Sequence, residues 1–409
     1  MLEKIEQDFI SYIRDLRISK GTKIAIGVSG GMDSLCLAKL LSIHFNQEYT
    51  FVALIVNHGL REIAEKEALD TQQILSSMNV NSKILTWEGK KPSTGIEEKA
   101  RKKRYELLLD FCKRNTIPYL FIAHHANDQL ETFLSRIAHV SGLDGLACMQ
   151  EKTVRNNIVL VRPFLRFSKA EIHSLAVKYK ITWHEDEMNY DDKYERVKWR
   201  NFSPFLIDRG ITEHKIHKVT KRLLSAKDAL EHYKNEFISS NVILSPLGYI
   251  IVSEKSYLKL PFFVKVKFLQ WAIDVVGQSK KILSLDALEN KAVSLKGTIG
   301  ECCICVSRGK IYILKEFDKL KKGGEIKPFV WQKYDRFWIY SKEEGFFLFG
   351  TKNEKYKKLP SIVKKVIPVF VNKKGLEFIP EINYNSYENK IRIEFNHYRE
   401  SIDETNEAF

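Results

Sequence analysis

The sequence predicts an α/β protein: a parallel sheet with helices on both faces, then a helical middle domain with short strands, then a small, basic, mostly-β carboxyl-terminal domain. Three observations carry this reading. Short continuous apolar runs alternate with amphipathic stretches through the first two hundred residues, the pattern of strands buried on both faces and joined by crossover helices. The alternation stops near Asp208-Arg-Gly210, and helical spacing dominates the next hundred residues. Beyond Lys319-Leu-Lys-Lys-Gly-Gly324, which has the composition of a linker, aromatic-rich runs are separated by Lys, Gly and Asn as far as Tyr398. The expected domains are residues 1–210, 211–318 and 325–409. Three domains suit a chain of 409 residues at roughly 150 per domain.

Taken in order, residues 23–28 (Lys-Ile-Ala-Ile-Gly-Val) read as a buried strand, and 34–43 as a helix with Leu35, Ala38 and Leu41 on one face. Residues 51–56 form a second strand and 64–78 a long helix. A third strand at 82–86 precedes a charged helix at 96–114, whose apolar side is Leu107, Leu108 and Phe111. Residues 119–123 are a fourth strand and 129–139 another helix. Downstream, helices are expected at 214–235 and 262–276, and a strand-like block at 301–306 and 311–314.

Charge narrows the partners. The chain carries 66 Lys and Arg against 51 Asp and Glu, a net +15, and such an excess favours a polyanion such as nucleic acid or an anionic membrane surface. Between Lys310 and Gly375, 16 Lys and one Arg stand against seven acids, so this segment holds +10 of the total. A solubilising lysine-rich face is the plain alternative. Six cysteines in so long a chain do not make a disulfide framework, and Cys36, Cys112 and Cys148 lie in apolar segments as small buried hydrophobes. No run reaches the ~20 apolar residues of a membrane span, and the start has no apolar signal core. A cytoplasmic protein with no membrane partner is expected.

The strongest chemical signal is Val28-Ser-Gly-Gly-Met-Asp-Ser34, between the first strand and the first helix. At the carboxyl edge of a parallel strand, Gly30 and Gly31 let the backbone turn and aim its N–H groups at an anion, and the next helix adds its positive end. Ser29 and Ser34 add hydroxyls. No Lys follows the glycines, so this is not a Walker loop. Asp33 stands where a cation would suit phosphates, which a Mg²⁺ held between carboxylate and phosphates resolves.

Further blocks follow in order: Asn57-His-Gly-Leu-Arg61, Glu98-Lys-Ala-Arg-Lys-Lys-Arg-Tyr105, Ala123-His-His-Ala-Asn-Asp-Gln-Leu-Glu-Thr-Phe133, Ser141-Gly-Leu-Asp-Gly-Leu146, Arg162-Pro163, Glu185-Asp186 with Asn189, and Arg196 with Arg200. The glycine loop resembles that of the N-type ATP pyrophosphatases, the PP-loop family with an adenine-nucleotide hydrolase-like fold. The whole set resembles tRNA(Ile)-lysidine synthetase, densely over about residues 20–206 and more loosely at Ile367-Pro368 and Gly375 to Pro380. The resemblance implies an enzyme that uses ATP and Mg²⁺ to join L-lysine to C2 of the first anticodon cytidine of a tRNA(Ile) with a CAU anticodon, through an adenylated cytidine.

It further implies that Ser29, Gly30, Gly31, Met32, Asp33, Ser34, His58 and His124 bind ATP and pyrophosphate. Asp33, Arg104, Asp128, Glu131 and Arg200 are the implied catalytic residues, with Asp33 and Asp128 on the metal. Asp128 and Glu131, at i and i+3, share a helix face and suit a metal or the amine of lysine; acids that merely complement a helix dipole are the alternative. His124 and His125 suit ribose or phosphate hydrogen bonding better than zinc, which would need a third ligand. Arg104 is read as reaching a phosphate or the substrate carboxylate, against a solvated basic face shared with Arg101, Lys99 and Lys103. Lys355, Lys357, Lys358, Lys364 and Lys365 are the expected tRNA contacts, and a homodimer is compatible with the sequence.

Two departures from the family stand out: Asn57 replaces an Asp, and Asn127-Asp128 replaces a pair of acids. Neither Asn is a strong metal ligand. Two rivals remain open. One is a tRNA thiolation enzyme on the same loop, for which Cys302-Cys-Ile-Cys305 lies far from the nucleotide residues; these cysteines read as structural. The other is a tRNA-binding protein whose nucleotide loop is only regulatory.

Overall fold

The architecture comes from a computed structural model that describes residues 2–61, 63–89, 91–183, 195–279, 282–320, 323–330, 332–352, 354–375, 377–379 and 391–395. The chain divides into two compact units, Met1–Lys227 and Asp228–Ser401.

The first unit is built on one six-stranded sheet. Its strands are β1 (Lys23–Val28), β2 (Thr50–Asn57), β3 (Ser82–Thr86), β4 (Tyr119–Ile122), β5 (Lys152–Arg155) and β6 (Ile158–Val161), in the order β3-β2-β1-β4-β6-β5. All neighbours run parallel except β5, which folds back on β6. The helices are α1 (Leu2–Asp15), α2 (Met32–Phe45), α3 (Ala64–Ser77), α4 (Ile96–Arg114), α5 (Ala126–Ala138), α6 (Leu143–Leu146), α7 (Lys169–Lys178) and α8 (Glu195–Asp208). Along β1 the side chains alternate: Ile24 and Ile26 enter the core built with α1, α2 and α7, while Ala25 enters the core built with Tyr105, Leu108 and Cys112 of α4. Continuous apolar runs therefore mark strands covered on both faces.

Several elements go beyond the sequence expectation. In α1, Ile5, Phe9, Ile10, Tyr12 and Ile13 are buried, a helical stripe at the start of the chain. The β5–β6 hairpin turns at Asn156 and Asn157, with φ of 49° and 64°, the two left-handed positions of a type I′ turn that Asn tolerates. Its four-residue strands are too short to register as periodicity. Helices α2 and α5 begin two and three residues earlier than their apolar spacing suggests, because Gly31 and His125 serve as extended N-caps.

Order β3-β2-β1-β4 means that the chain leaves β1 for one side of the sheet and later returns to the other side. The loops after β1 and β4 therefore splay apart at the carboxyl edge, where parallel sheets bind ligands. The glycine loop and His124-His125 occupy these two loops, so the topology brings together the segments that the sequence separates by ninety residues.

A long helix, α9 (Glu213–Asn241), contains the boundary between the units. The second unit opens with β7 (Val242–Ser245), β8 (Tyr249–Ser253), α10 (Glu254–Leu258), α11 (Phe262–Gly277), α12 (Leu285–Ser294), β9 (Gly297–Ile299), β10 (Cys302–Ser307) and β11 (Lys310–Lys315). These strands form an antiparallel sheet, β7-β8-β11-β10-β9, with the buried face of α11 packed on one side. Then come β12 (Gly324–Ile326), β13 (Gln332–Tyr334), β14 (Phe337–Ser341), β15 (Gly345–Phe349), α13 (Ser361–Lys365), β16 (Pro368–Asn372), β17 (Glu377–Phe378) and β18 (Ile391–Phe395), which make sheets β12-β15-β16-β17 and β13-β14-β18. Among the described residues, no helix is long and apolar enough to cross a membrane.

Candidate active site

The glycine loop is held by its own side chains. Ser29 N–H donates to Ser34 Oγ at 3.1 Å, and Ser34 Oγ donates to Gly31 O at 2.9 Å. The Ser34 hydroxyl thus ties the loop shut, while Ser29 Oγ lies 3.3 Å from it. Gly30 has φ +87°, and a Cβ there would come within 2.5 Å of Thr71 Oγ1 on α3. Only glycine suits both the left-handed backbone and that close approach. Gly31 caps α2 in extended conformation with no side-chain hydrogen bond, so the first-turn amides of α2 are available to an anion.

Asp33, in that first turn, points toward the loop after β4. Its Oδ2 lies 3.6 Å from Nε2 of His125, and its Oδ1 is shut from solvent with no hydrogen-bond partner in the structure. His125 caps α5: its Nδ1 accepts from Asp128 N–H at 3.3 Å, and Asp128 Oδ2 accepts from His125 N–H at 2.9 Å. One turn on, Glu131 is 3% exposed and accepts from Nε of Arg200 on α8 at 2.9 Å. Asp33, His125, Asp128, Glu131 and Arg200 form a continuous charged chain at the fork between β1 and β4. Asp128 both closes a capping box and belongs to this cluster.

The two neighbouring histidines are driven in opposite directions. Burial pushes His124 well below its usual pKa; the Asp128 charge opposes this, and Arg101, Arg162 and Arg104 reinforce it. His124 is neutral, with its Nδ1 buried and unpartnered. Burial also disfavours charge on His125, but Asp128, Asp33 and Glu131 outweigh it and raise its pKa. Arg200 loses some preference for its charge through burial and regains more from Glu131, Asp128 and Asp33.

His58, just past β2, is pushed down to about 4 by burial and by the charges of Arg104 and Lys91. Arg104 thus lies within electrostatic reach of both His58 and His124. Asn57 Oδ1 accepts from Gly59 N–H at 2.9 Å, so this residue shapes the turn after β2. Asn127 Oδ1 accepts from Lys169 N–H at 2.8 Å, and its Nδ2 donates to Glu213 at 3.4 Å. An amide serves both contacts, whereas a carboxylate would face Glu213. Arg162 is fully buried, donating to Gln150 O and Thr153 Oγ1.

The structure therefore brings Asp33, Asp128, Glu131 and Arg200 into one cluster with the glycine loop, and sets Arg104, His58 and His124 beside it. His125, the junction of the cluster, is not among the residues the sequence assigns to the nucleotide, where His124 stands instead. Its signal was the His-x-x-Asp spacing at a helix start, a capping box written with His in place of Ser or Thr. Glu185, Asp186 and Asn189 lie outside the described residues, as does the side chain of Arg196.

In the second unit, Lys357, Lys358 and Lys365 are exposed and Lys364 is half-buried; the side chain of Lys355 lies outside the described residues. Lys357 pairs with Glu354 at 3.3 Å on the surface. Cys302 and Cys305 lie three apart on β10, hence on opposite faces of the sheet. Cys302 is buried under α11 and Cys305 packs on the other face. Burial pushes their thiols up to about 12 and about 11, which disfavours the thiolate that metal binding or redox chemistry uses.

A glycine-rich anion loop at the switch point of a parallel sheet, backed by an acid at the helix start, defines a nucleotide-binding α/β enzyme. Residues 1–203 match the PP-loop domain family. The chain is 34% identical over 331 residues to the tRNA(Ile)-lysidine synthase of Wolbachia sp. subsp. Brugia malayi, covering 78% of this chain and 76% of that protein. It is 33% identical over 310 residues to the tRNA(Ile)-lysidine synthase of Wolbachia pipientis wMel, covering 73% and 72%. The chain belongs to the tRNA(Ile)-lysidine synthase family. Among solved structures, a U34-tRNA thiolase from Methanococcus maripaludis superposes with a TM-score of 0.48 at 18% identity, covering 55% of this chain and 78% of that one.

Proposed function

We propose that this protein ligates L-lysine to C2 of the wobble cytidine in the CAU anticodon of tRNA(Ile), converting ATP to AMP and pyrophosphate. The observation that carries the reading is the cluster of Asp33, His125, Asp128, Glu131 and Arg200 facing an uncapped glycine-loop helix, in a chain of the lysidine synthase family.

The chemistry asks for two displacements. Cytidine O2 is a poor leaving group, so it first attacks the α-phosphorus of ATP and expels pyrophosphate, onto which the loop amides and Ser29 close. The lysine amine then attacks C2 and expels AMP. The carboxylates of Asp128 and Glu131 receive the ammonium and take the proton it must lose before attack. Arg200, held against Glu131, meets the negative charge of the adenylated intermediate, as its planar guanidinium suits. Arg104 reaches a phosphate or the lysine carboxylate. His124, neutral, and His58 give hydrogen bonds to the nucleotide without adding charge.

Mg²⁺ fits this site: the orphaned Oδ1 of Asp33 and the Asp128 carboxylate would hold it, and it would neutralise the polyphosphate. Residues 211–318 and 325–409 form the tRNA grip, with Lys355, Lys357, Lys358, Lys364 and Lys365 meeting backbone phosphates.

The test is incubation with Mg²⁺, ATP, radiolabelled lysine and a CAU-anticodon tRNA(Ile) transcript, followed by digestion to nucleosides. Label that stays on cytidine through mild base is expected, since an aminoacyl ester would hydrolyse. Sulfur transfer from a thiol donor in place of lysine transfer would establish the thiolation chemistry instead. Pyrophosphate release on bound tRNA with no modified product would overturn the reading in favour of a regulatory nucleotide loop.

A further inference from the structure

We propose that the groove between the loop after β3 and the outer face of α4 is a second RNA-backbone site within the catalytic unit. This inference rests on the tRNA substrate proposed above. The groove, of about 530 Å³, is lined by Trp87, Lys91, Lys99, Lys102, Lys103 and Glu106, with Pro92 and Ser93 at its rim. Lys99, Lys102, Lys103 and Glu106 stand at i, i+3, i+4 and i+7 and so form one stripe of α4. Four ammonium groups against one carboxylate leave the lining at +3.

Two of the ammonium groups are positioned by neutral partners. Lys99 Nζ donates to Thr94 O at 2.8 Å. Lys91 Nζ bonds to Trp87 O and lies 4.5 Å above the Trp87 ring. Carbonyls and a ring orient these ammonium groups without cancelling their charge, unlike Lys103, which meets Glu106 at 3.0 Å. A concave wall on which Lys91 and Lys99 are oriented by neutral groups is complementary to a chain of phosphodiesters.

The groove is continuous with the nucleotide residues. Trp87 N–H donates to Asn57 O at 2.9 Å, extending β3 along β2, and the Trp87 ring meets His58 edge-on at 6.2 Å. Arg104, beside His58 and His124, lies on the same helix, one position beyond Lys103. RNA lying in the groove would run past the carboxyl edge of the sheet toward the fork between β1 and β4. This course would let an anticodon loop present one base to the charged cluster while its neighbours stay anchored in the groove.

The experiment is a salt series of tRNA binding to the full chain, with the same CAU-anticodon transcript, for wild type and Lys99→Gln/Lys102→Gln/Lys103→Gln. The triple variant is expected to weaken binding about tenfold near 0.1 M salt and to reduce the slope of log K against log salt by about 2, at roughly 0.7 per lost single-strand phosphate contact. The KM for ATP and the kcat at saturating tRNA should be unchanged. If the triple variant melts early, Lys99→Gln alone should lower the slope by about 0.7. An unchanged slope overturns the proposal, and an unchanged slope with a raised KM for ATP assigns the groove to the nucleotide. Because the readout is binding, a wild type that fails to transfer lysine while the slope falls as expected would defeat the function proposed above and leave the groove standing.

Discussion

Asp33, His125 and Asp128 share one electrostatic arrangement, and each substitution there has a separable consequence. Asp33→Ala removes the carboxylate whose Oδ1 has no protein partner; it should reduce lysine transfer to background while tRNA affinity, measured by filter binding, stays within about twofold. His125→Asn keeps an acceptor at the helix cap but loses the titratable ring. Because the folded pKa of His125 is raised, its contribution to stability is complete below about 6.5 and is lost as pH rises through the folded value. The stability difference between wild type and His125→Asn, from denaturant unfolding, should therefore be largest at pH 6 and shrink toward pH 8. A difference that grew with pH would mean that the ring is neutral in the fold. His124 and His58 act in the opposite sense: their lowered pKa values withdraw stability as pH falls below about 6.5.

At the scale of the element, the turn from β1 into α2 has the tightest steric requirement in the site. Gly30→Ala would place a Cβ against Thr71 Oγ1 in a left-handed conformation. The backbone alone costs about 1–2 kcal/mol, and the clash with α3 adds to it. The variant should unfold earlier and lose ATP binding. Thr71→Ala in the same chain should recover the steric part and not the backbone part, which thermal melts of the single and double variants would separate. Helix α5 offers a parallel case. Arg200→Ala leaves Glu131 buried beside Asp128 and Asp33, and removing one partner of a buried pair costs about 3 kcal/mol, somewhat less here because Arg200 is partly exposed. Arg200→Ala should therefore both destabilise the protein and slow lysine transfer at saturating substrates, whereas Glu131→Gln, which removes the buried charge itself, should retain more stability.

For the whole molecule, the uneven charge makes a prediction about affinity. Substituting Lys357, Lys358 and Lys365 by Gln should lower the salt slope of tRNA binding by about 2 and leave the KM for ATP unchanged. That result would assign nucleotide and polyanion to different residues. Much of this organisation was legible from residue order. The four strands and four helices of the α/β stretch announced themselves because strands covered on both faces are apolar throughout and their helices carry one apolar stripe. The glycine loop was legible because its steric requirement admits no other residue at Gly30. Less legible were α1, the short β5–β6 hairpin and the early starts of α2 and α5, where a cap or a two-residue turn decides the boundary and periodicity has no say.

What the sequence by itself determined was the class of chemistry, a loop that only glycine can form with an acid beside it, and where the excess of lysine lies. Those are local properties, written in neighbouring residues. The tertiary structure decided which residues act together. Strand order sets the loop after β1 against the loop after β4, so Asp33 meets His125 across ninety residues of chain, and α8 brings Arg200 to Glu131. It also decided that His124 and His125, adjacent and identical in type, have their pKa values moved in opposite directions, the first down and the second up. Burial and the summed field of carboxylates and guanidinium groups set that difference, and both depend on distances that only the folded chain defines.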